Sequence, residues 1–273
     1  MSTAAQGFRR QTRAFRGMTR AGTRSVLIYR GDLITGAITL VIQVVLAIAV
    51  WRIVYGGRGP VNGVDARTAV AYAAIAACLQ SVLLPWQFSS LPMRIRNGQI
   101  ATDLTRPLGL IWQVLGQNFG VLLGRLPLGA IGLAVAAVIG ALTLPPSAGA
   151  LLLSLVATAG GAVVAMLCNL IVSMVTFWTF EVSGPLIVYR FGSAFLSGSL
   201  IPLWFMPGWL RSSVEWLPFQ AQVYTPVSIY LGRARGGEAL ALVAVQLAWV
   251  VVLALLLELV WRRARHKVVV QGG

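Results

Sequence analysis

The sequence predicts an all-α membrane protein with six transmembrane helices. Of its 273 residues, 58% are hydrophobic and 11% are charged. The mean hydropathy of +0.80 is too high for a soluble domain of this length. The charged residues are confined to short segments between apolar runs that are long enough to cross a bilayer. The predicted spans cover residues 33–55, 68–93, 119–144, 148–177, 185–203 and 239–261.

A basic amphipathic helix is predicted before the first span, within residues 1–31. Its arginines recur at spacings of three or four residues, which places five guanidinium groups along one helical face. Phe8, Phe15 and Met18 fall on the opposite face. Such a helix suits an anionic membrane surface, and a docking contact for a cytosolic partner is the alternative. The arginines are Arg9, Arg13, Arg16, Arg20 and Arg24.

Residues 32–273 form the predicted membrane domain. Pro85, near the end of the second span, predicts a kink there. In the third span, Gly132, Ala136 and Gly140 form a row of small residues that permits close helix approach. The polar segment between the second and third spans, about residues 93–109, is predicted to be a short structured element outside the hydrocarbon.

Aromatic residues and prolines crowd together between the fifth and sixth spans, at about residues 204–220. Trp204, Pro207, Trp216 and Pro218 stand there among a few charges. Tryptophan is enriched at membrane interfaces, and a helix broken by proline must find other partners for its backbone. This composition therefore predicts a re-entrant segment at the outer face of the membrane.

The distribution of basic residues predicts the orientation. With both termini inside, fourteen Lys and Arg residues lie in the cytoplasm: seven before the first span, three in the 93–109 segment and four in the tail. The opposite loops hold six. The positive-inside rule therefore predicts cytoplasmic termini. A single Lys among 22 basic residues suggests a GC-rich bacterial gene, and hence a bacterial cytoplasmic membrane.

The chain offers little material for chemistry of its own. It has seven acidic residues, two Cys and one His, whereas catalysis and metal binding need such groups to converge. The only lysine, Lys267, follows His266, so the nucleotide-binding pattern G-x-x-x-x-G-K cannot occur. We predict no catalytic residue, metal site or cofactor on this chain. The basic residues flank apolar runs, which indicates topology signals rather than a nucleic-acid surface.

Apart from Arg52 at the outer end of the first span, three charged residues fall inside the predicted spans: Arg125, Arg190 and Glu258. Each lies close to the predicted cytoplasmic end of its span, where a long side chain can reach the interface or pair with a neighbour. No charge is predicted at the midplane, which argues against the main alternative, an ion-coupled carrier. A membrane-embedded enzyme or a non-transporting scaffold is the third possibility.

The chain resembles the membrane subunit of a type-2 ABC exporter, particularly the small six-span permeases of the group that includes viologen and multidrug exporters. The resemblance extends along nearly the whole chain, and it rests on the order of several landmarks. They are the basic N-terminal helix, I-R-N-G-Q-I and L-T-R-P-L-G in the 93–109 segment, F-W-T-F-E at residues 177–181, L-P-F at 217–219, Y-T-P at 224–226 and the terminal V-Q-G-G.

The resemblance implies a permease that moves a hydrophobic or amphipathic substrate, drug-like or lipid-like, out of the cell. A separate ATPase subunit would bind ATP and magnesium. The 93–109 segment would be the coupling helix that contacts the ATPase, and the segment at 204–220 would be a re-entrant hairpin. The implied ATPase contacts are Arg94, Arg96, Asn97, Gly98, Asp103, Arg106 and Pro107.

By the same resemblance, two permeases, identical or different, face each other through spans one and five. The substrate would pass between them, with membrane lipids around the pair. Gln43 and the serines can instead form hydrogen bonds within the helix bundle. The implied path residues are Gln43, Phe191, Ser193, Phe195 and Ser197.

Overall fold

The computed structural model describes residues 3–57, 59–84, 89–179 and 183–268. Within these ranges the regular structure is helical, with one isolated bridge between Val61 and Val64. The α-helices are α1 (Thr3–Ile28), α2 (Arg30–Tyr55), α3 (Ala66–Leu83), α4 (Leu91–Arg96), α5 (Ile100–Leu104), α6 (Leu110–Val138), α7 (Ala148–Met174), α8 (Thr176–Thr179), α9 (Ser183–Leu196), α10 (Gly208–Glu215), α11 (Tyr224–Tyr230) and α12 (Gly236–Val268).

Among the described residues, five helices are long and apolar enough to cross a membrane, which makes the chain a multi-pass membrane protein. They correspond to predicted spans one to four and six. Two of these helices have a side-chain cap at the N-terminus. Asp65 caps α3 by accepting a hydrogen bond from the Thr68 amide, and Ser147 caps α7 by accepting one from the Ala150 amide. The Thr68 bond lowers the pKa of the Asp65 carboxyl. The candidate spans are Arg30–Tyr55, Ala66–Leu83, Leu110–Val138, Ala148–Thr179 and Gly236–Lys267.

Two predicted boundaries differ from the structure. The second span ends at Leu83 and not at residue 93, because α4 is a separate short helix. The helix that contains the predicted third span begins at Leu110, before the predicted start of the span at residue 119. The first nine residues of this helix include Gln113, Gln117 and Asn118. These polar residues interrupt the apolar run, so hydropathy alone places the start of the helix too late. The same helix ends at Val138, so Gly140, the last member of the predicted row of small residues, lies beyond the helix.

The predicted fifth span is a short helix. α9 has 14 residues, which is about 21 Å against about 30 Å of hydrocarbon. It ends at Leu196 rather than at residue 203 because Gly198 has a φ of +78° and turns the chain. A Cβ at Gly198 would lie 2.8 Å from the hydroxyl of Tyr72, so the turn is packed tightly against α3.

A broken segment follows α9 and fills one end of the bundle. It consists of a 3₁₀ turn at Leu203–Phe205, α10, a second 3₁₀ turn at Pro218–Ala221, and α11. It reaches the middle of α7, since a Cβ at Gly161 would lie 2.7 Å from the carbonyl oxygen of Ala221. Its depth in a membrane stays a prediction.

The loops gather at two ends of the bundle. At one end, α4 and α5 form a hairpin (residues 91–104, the α4–α5 hairpin) that packs near α8 and the end of α12. There the rings of Phe177 and Trp261 are 6.1 Å apart. At the opposite end, the Asn62 amide donates to the carbonyl of Trp204 at 3.2 Å. The hairpin and the broken segment are therefore on opposite ends of the molecule.

Helix α1 packs lengthwise and parallel along the first half of α6, against Gly116, Gly120 and Gly124. A Cβ at Gly120 would lie 2.0 Å from the Thr19 carbonyl oxygen, and the Thr23 hydroxyl donates to the Gly120 carbonyl at 3.0 Å. This G-x-x-x-G-x-x-x-G row is readable in the sequence, but we predicted close approach only at the later row. At that later row, a Cβ at Gly132 would lie 2.6 Å from the Cys78 sulfur.

The basic face of α1 points away from α6. Four of its predicted cations, Arg13, Arg16, Arg20 and Arg24, are exposed. The side chain of Arg9, the predicted kink at Pro85, Glu181 of the F-W-T-F-E stretch and the terminal V-Q-G-G lie outside the described residues. The position of α1 at a membrane surface stays a prediction.

The glycine row can be tested by Gly120→Ala. The new Cβ would meet backbone, so α1 and α6 must separate, and overpacking of this kind costs about 1–3 kcal/mol. We expect a lower thermal midpoint in detergent and faster tryptic cleavage at Arg16 and Arg20. Gly17→Ala is the matched control, since nothing lies within 4 Å of its Cβ and alanine favours the helix. Equal cleavage of the two variants would contradict the docking of α1.

Candidate functional site

The α4–α5 hairpin is the most elaborate polar element at its end of the bundle. α4 begins after Ser90 with Pro92 in its first turn, a position at which proline leaves no helical hydrogen bond unmade. It ends at Asn97, and Gly98 turns the chain with a φ of +69°. The Gln99 amide then donates to the Arg94 carbonyl at 2.9 Å. The I-R-N-G-Q-I motif therefore folds as a helix end, a left-handed glycine and the start of a second helix.

The inner face of the hairpin is part of the hydrophobic core. Leu91, Ile95 and Ile100 are buried in one cluster that also includes side chains of α6, α7, α8 and α12. Leu170 and Leu257 belong to the same cluster. The hairpin therefore shares a hydrophobic cluster with three of the long helices, and a displacement of the hairpin would disturb their packing.

A buried ion pair joins the two short helices. The Arg94 guanidinium lies 3.0 Å from the Asp103 carboxylate, and the side chains are only 15% and 6% exposed. Arg106 approaches the second carboxylate oxygen at 3.6 Å. Because the pair is largely shielded from water, it is screened much less than a surface ion pair.

Two glutamines of α6 tie this ion pair to the long helix. Gln113 donates to the backbone carbonyls of Asp103 and Leu108 at 2.8 and 2.6 Å. Gln117 accepts hydrogen bonds from Arg94 and Ser90. Sequence reasoning missed both glutamines, although a polar amide in an apolar helix is a readable signal. Together these bonds fix the hairpin to α6.

The outer face of the hairpin is open to solvent and mixes apolar and cationic groups. Met93 and Leu104 are 60% and 45% exposed, and Arg96 and Gln99 stand beside them. Exposed methionine, leucine and arginine on a well-supported element are characteristic of a protein-binding surface.

The structure separates the predicted coupling residues into two groups. Arg94 and Asp103 form the internal ion pair. The others are exposed, and they are Arg96, Asn97, Gly98, Arg106 and Pro107.

The predicted path residues are also divided. Gln43 and Phe191 are exposed on separate helices, α2 and α9. Ser193 is buried and donates to the Gln222 side chain at 2.9 Å, and Ser197 is buried and donates to the Ala194 carbonyl. Phe195 packs beside the cluster of Leu203, Met206 and Val214. In one chain, the two serines thus form hydrogen bonds within the bundle.

The titratable groups form no catalytic cluster in the described part of the chain. No group of three or more His, Cys, Asp or Glu residues there is placed to hold a metal ion. Glu258 is paired with Arg262 at 2.9 Å, and both side chains are about half exposed or more. The hairpin is thus an element fixed to the bundle that exposes both apolar and cationic side chains.

The comparison with known proteins agrees with this arrangement. A protein-family model described as ABC-2 family transporter protein matches residues 33–272. The chain belongs to the ABC-2 transporter family. The match includes the hairpin, all five span-length helices apart from the first residues of α2, and the broken segment, whereas α1 precedes it. Neither a curated protein nor a solved structure gave a match.

Membership defines the general role of the chain. ABC-2 proteins are membrane components of ABC transporters and not their ATPases. This chain is therefore a permease of an ABC transporter, and permeases of this family work with ABC ATPase partners. The resemblance in the sequence to a type-2 ABC permease is confirmed.

The buried ion pair can be tested by Asp103→Asn. The change leaves the Arg94 charge buried without its counterion, which typically costs about 3–5 kcal/mol. We expect a lower thermal midpoint and faster amide hydrogen exchange in residues 91–104. Glu258→Gln breaks an exposed pair and should cost about 1 kcal/mol or less. An equally small effect of both changes would show that the hairpin does not depend on the pair.

Proposed function

We propose that the chain is the permease subunit of an ATP-driven exporter and that a separate ATPase subunit binds the outer face of the α4–α5 hairpin. The observation that carries the proposal is the two-sided construction of this element. Its outer face presents Met93, Arg96 and Leu104 to solvent, while Leu91 and Ile95 are buried in the core. A partner that moves the outer face must therefore move the inner face as well.

The ion pair gives the hairpin the stiffness that such a role requires. A lever transmits displacement only if it does not bend, and Arg94, Asp103 and Gln113 connect both short helices to α6. In this proposal Arg94 and Asp103 stabilise the fold of the coupling element and do not contact the ATPase. The residues that would contact the ATPase are Arg96, Asn97, Gly98, Arg106 and Pro107. Packed elements with two discrete arrangements are the usual route by which such a displacement reaches a distant site.

The proposed orientation places the hairpin, both termini and α1 in the cytoplasm of a bacterial cell. α9, which is shorter than the hydrocarbon is thick, would form the fifth of six crossings together with residues 197–203, and the broken segment would be re-entrant from the outer face. Because α1 packs along the first half of α6, this orientation places that half of α6 at the cytoplasmic interface, where the basic face of α1 would meet lipid head groups. The ATPase would bind ATP and magnesium.

The proposed substrate is hydrophobic or amphipathic and leaves the cell between two permeases, identical or different. The exposed faces of α2 and α9 support this arrangement. Ile38, Ile42, Val188 and Phe191 are exposed on these helices, and Gln43 adds a polar group to the face of α2. Apolar faces that lack a partner within the chain suit either lipid or a second permease.

A charge reversal on the hairpin tests the docking proposal. Arg96→Glu changes an exposed side chain and leaves the Arg94–Asp103 pair intact, so insertion and folding should persist. We expect at least a tenfold loss in the amount of ATPase subunit recovered with the tagged chain in mild detergent. The eluate should lose ATP hydrolysis in proportion.

The matched control is Arg263→Glu, which reverses an exposed arginine on α12 at the same end of the bundle. It should recover as much ATPase as the wild-type chain. Recovery that is unchanged in Arg96→Glu, or reduced equally in both variants, would rule out the hairpin as the specific docking element.

A further inference from the structure

A cavity of about 590 Å³ lies directly beside the hairpin, between α4, α6, α7 and α9. Its volume is within the usual range of about 300–1,000 Å³ for small-molecule sites. Pro92, Met93 and Arg96 of the hairpin form part of its wall. The path implied by the family resemblance lies between two permeases, whereas this cavity is enclosed by one chain.

Asn118 gives the cavity an unsatisfied polar group. Its side chain is 1% exposed and lines the cavity, yet neither its amide nitrogen nor its oxygen has a hydrogen-bond partner in the chain. A buried polar group without a partner is costly, and proteins retain such groups where a ligand or water completes them. The amide of Asn118 offers two donors and one acceptor to such a ligand.

The charge of the cavity wall favours an anion. Arg96 and Arg190 line it, and none of the described lining residues is acidic. Asn169, Ser173 and the Tyr189 ring add polar groups to the same wall. Guanidinium groups together with amide and hydroxyl donors are the groups that bind carboxylate and phosphate oxygens.

The remaining wall is apolar and extends towards an opening. Leu83, Leu84 and Val121 line the interior, and Leu186 and Ile187 line the side formed by α9. Ile187 is 46% exposed, so an apolar surface continues from the cavity to the outside of the bundle. A ligand with a polar head and an apolar chain would match both kinds of wall.

We propose that this cavity binds the anionic head group of an amphiphile, with its apolar chain along Leu186 and Ile187. That this amphiphile is the exported substrate rests on the function proposed above. Met93 and Arg96 would then be shared between the ligand and the ATPase, whereas Asn97, Gly98, Arg106 and Pro107 would contact the ATPase alone. Occupancy of the cavity would bias the position of the element that the ATPase binds.

The test is a binding titration of the full-length chain in an uncharged detergent. The probe is cis-parinaric acid, a fluorescent fatty acid, and its methyl ester serves as the uncharged control. We expect the acid to bind at least tenfold more tightly than the ester. Asn118→Leu, which keeps the number and branching of the side-chain heavy atoms, should weaken binding of the acid at least tenfold. Without ligand, the same variant should melt at a higher temperature, because it removes an unsatisfied amide.

Arg190→Gln is a second variant that removes one charge of the wall, and it should also weaken binding of the acid. Arg262→Gln changes an exposed arginine away from the cavity and should bind the acid as the wild type does. Equal binding of acid and ester, or wild-type affinity in both cavity variants, would overturn the proposal. Displacement of the acid by inorganic phosphate at equal concentration would also overturn it, because the apolar wall would then contribute nothing.

The two proposals can fail separately. The titration needs no ATPase, so absent binding together with normal recovery of the ATPase would overturn only the cavity assignment. Binding of the acid by a chain that recovers no ATPase would overturn the exporter function and leave the amphiphile site in place.

Discussion

The buried carboxylate of Asp103 is the interaction on which the hairpin end of the molecule depends. Asp103 belongs to α5, and its carboxylate accepts a hydrogen bond from Arg94 of α4. Gln113 of α6 donates a hydrogen bond to the Asp103 backbone carbonyl. A carboxylate at 6% exposure is stable only when its charge is compensated, so these elements must remain together for any of them to keep its position. The hairpin is thereby a defined unit of the bundle rather than a flexible loop.

Close backbone approach holds the rest of the bundle together. Where lipid surrounds a protein, burial of apolar side chains gives little preference for another helix, and small residues that let backbones touch become the main source of contact. Gly120 brings α1 onto α6, Gly132 brings α6 onto α2 and α3, and Gly161 admits the broken segment to α7. These three contacts bring α1, α2 and α3 close to α6 and the broken segment close to α7.

Polar side chains inside the bundle serve two different purposes. Some of them join backbone segments: Gln246 donates to the carbonyls of Ala157 in α7 and Ala221 in the broken segment, and Gln113 donates to those of Asp103 and Leu108 beside the hairpin. Asn118 is the contrast, because it is as deeply buried and serves no backbone group. That difference is the reason to assign it to a ligand rather than to the fold.

The sequence by itself determined five helices of span length, the exposed basic face of α1 from Arg13 to Arg24, and the location of the polar hairpin. These features depend on hydropathy and periodicity, which are properties of residues that are close together in the sequence. Only the tertiary structure decided that Arg94 and Asp103 pair internally, that α1 packs along α6, that α9 ends at Leu196, and that Asn118 faces a cavity. Each of these depends on which residues from distant parts of the chain meet, and local composition carries no information about such distances.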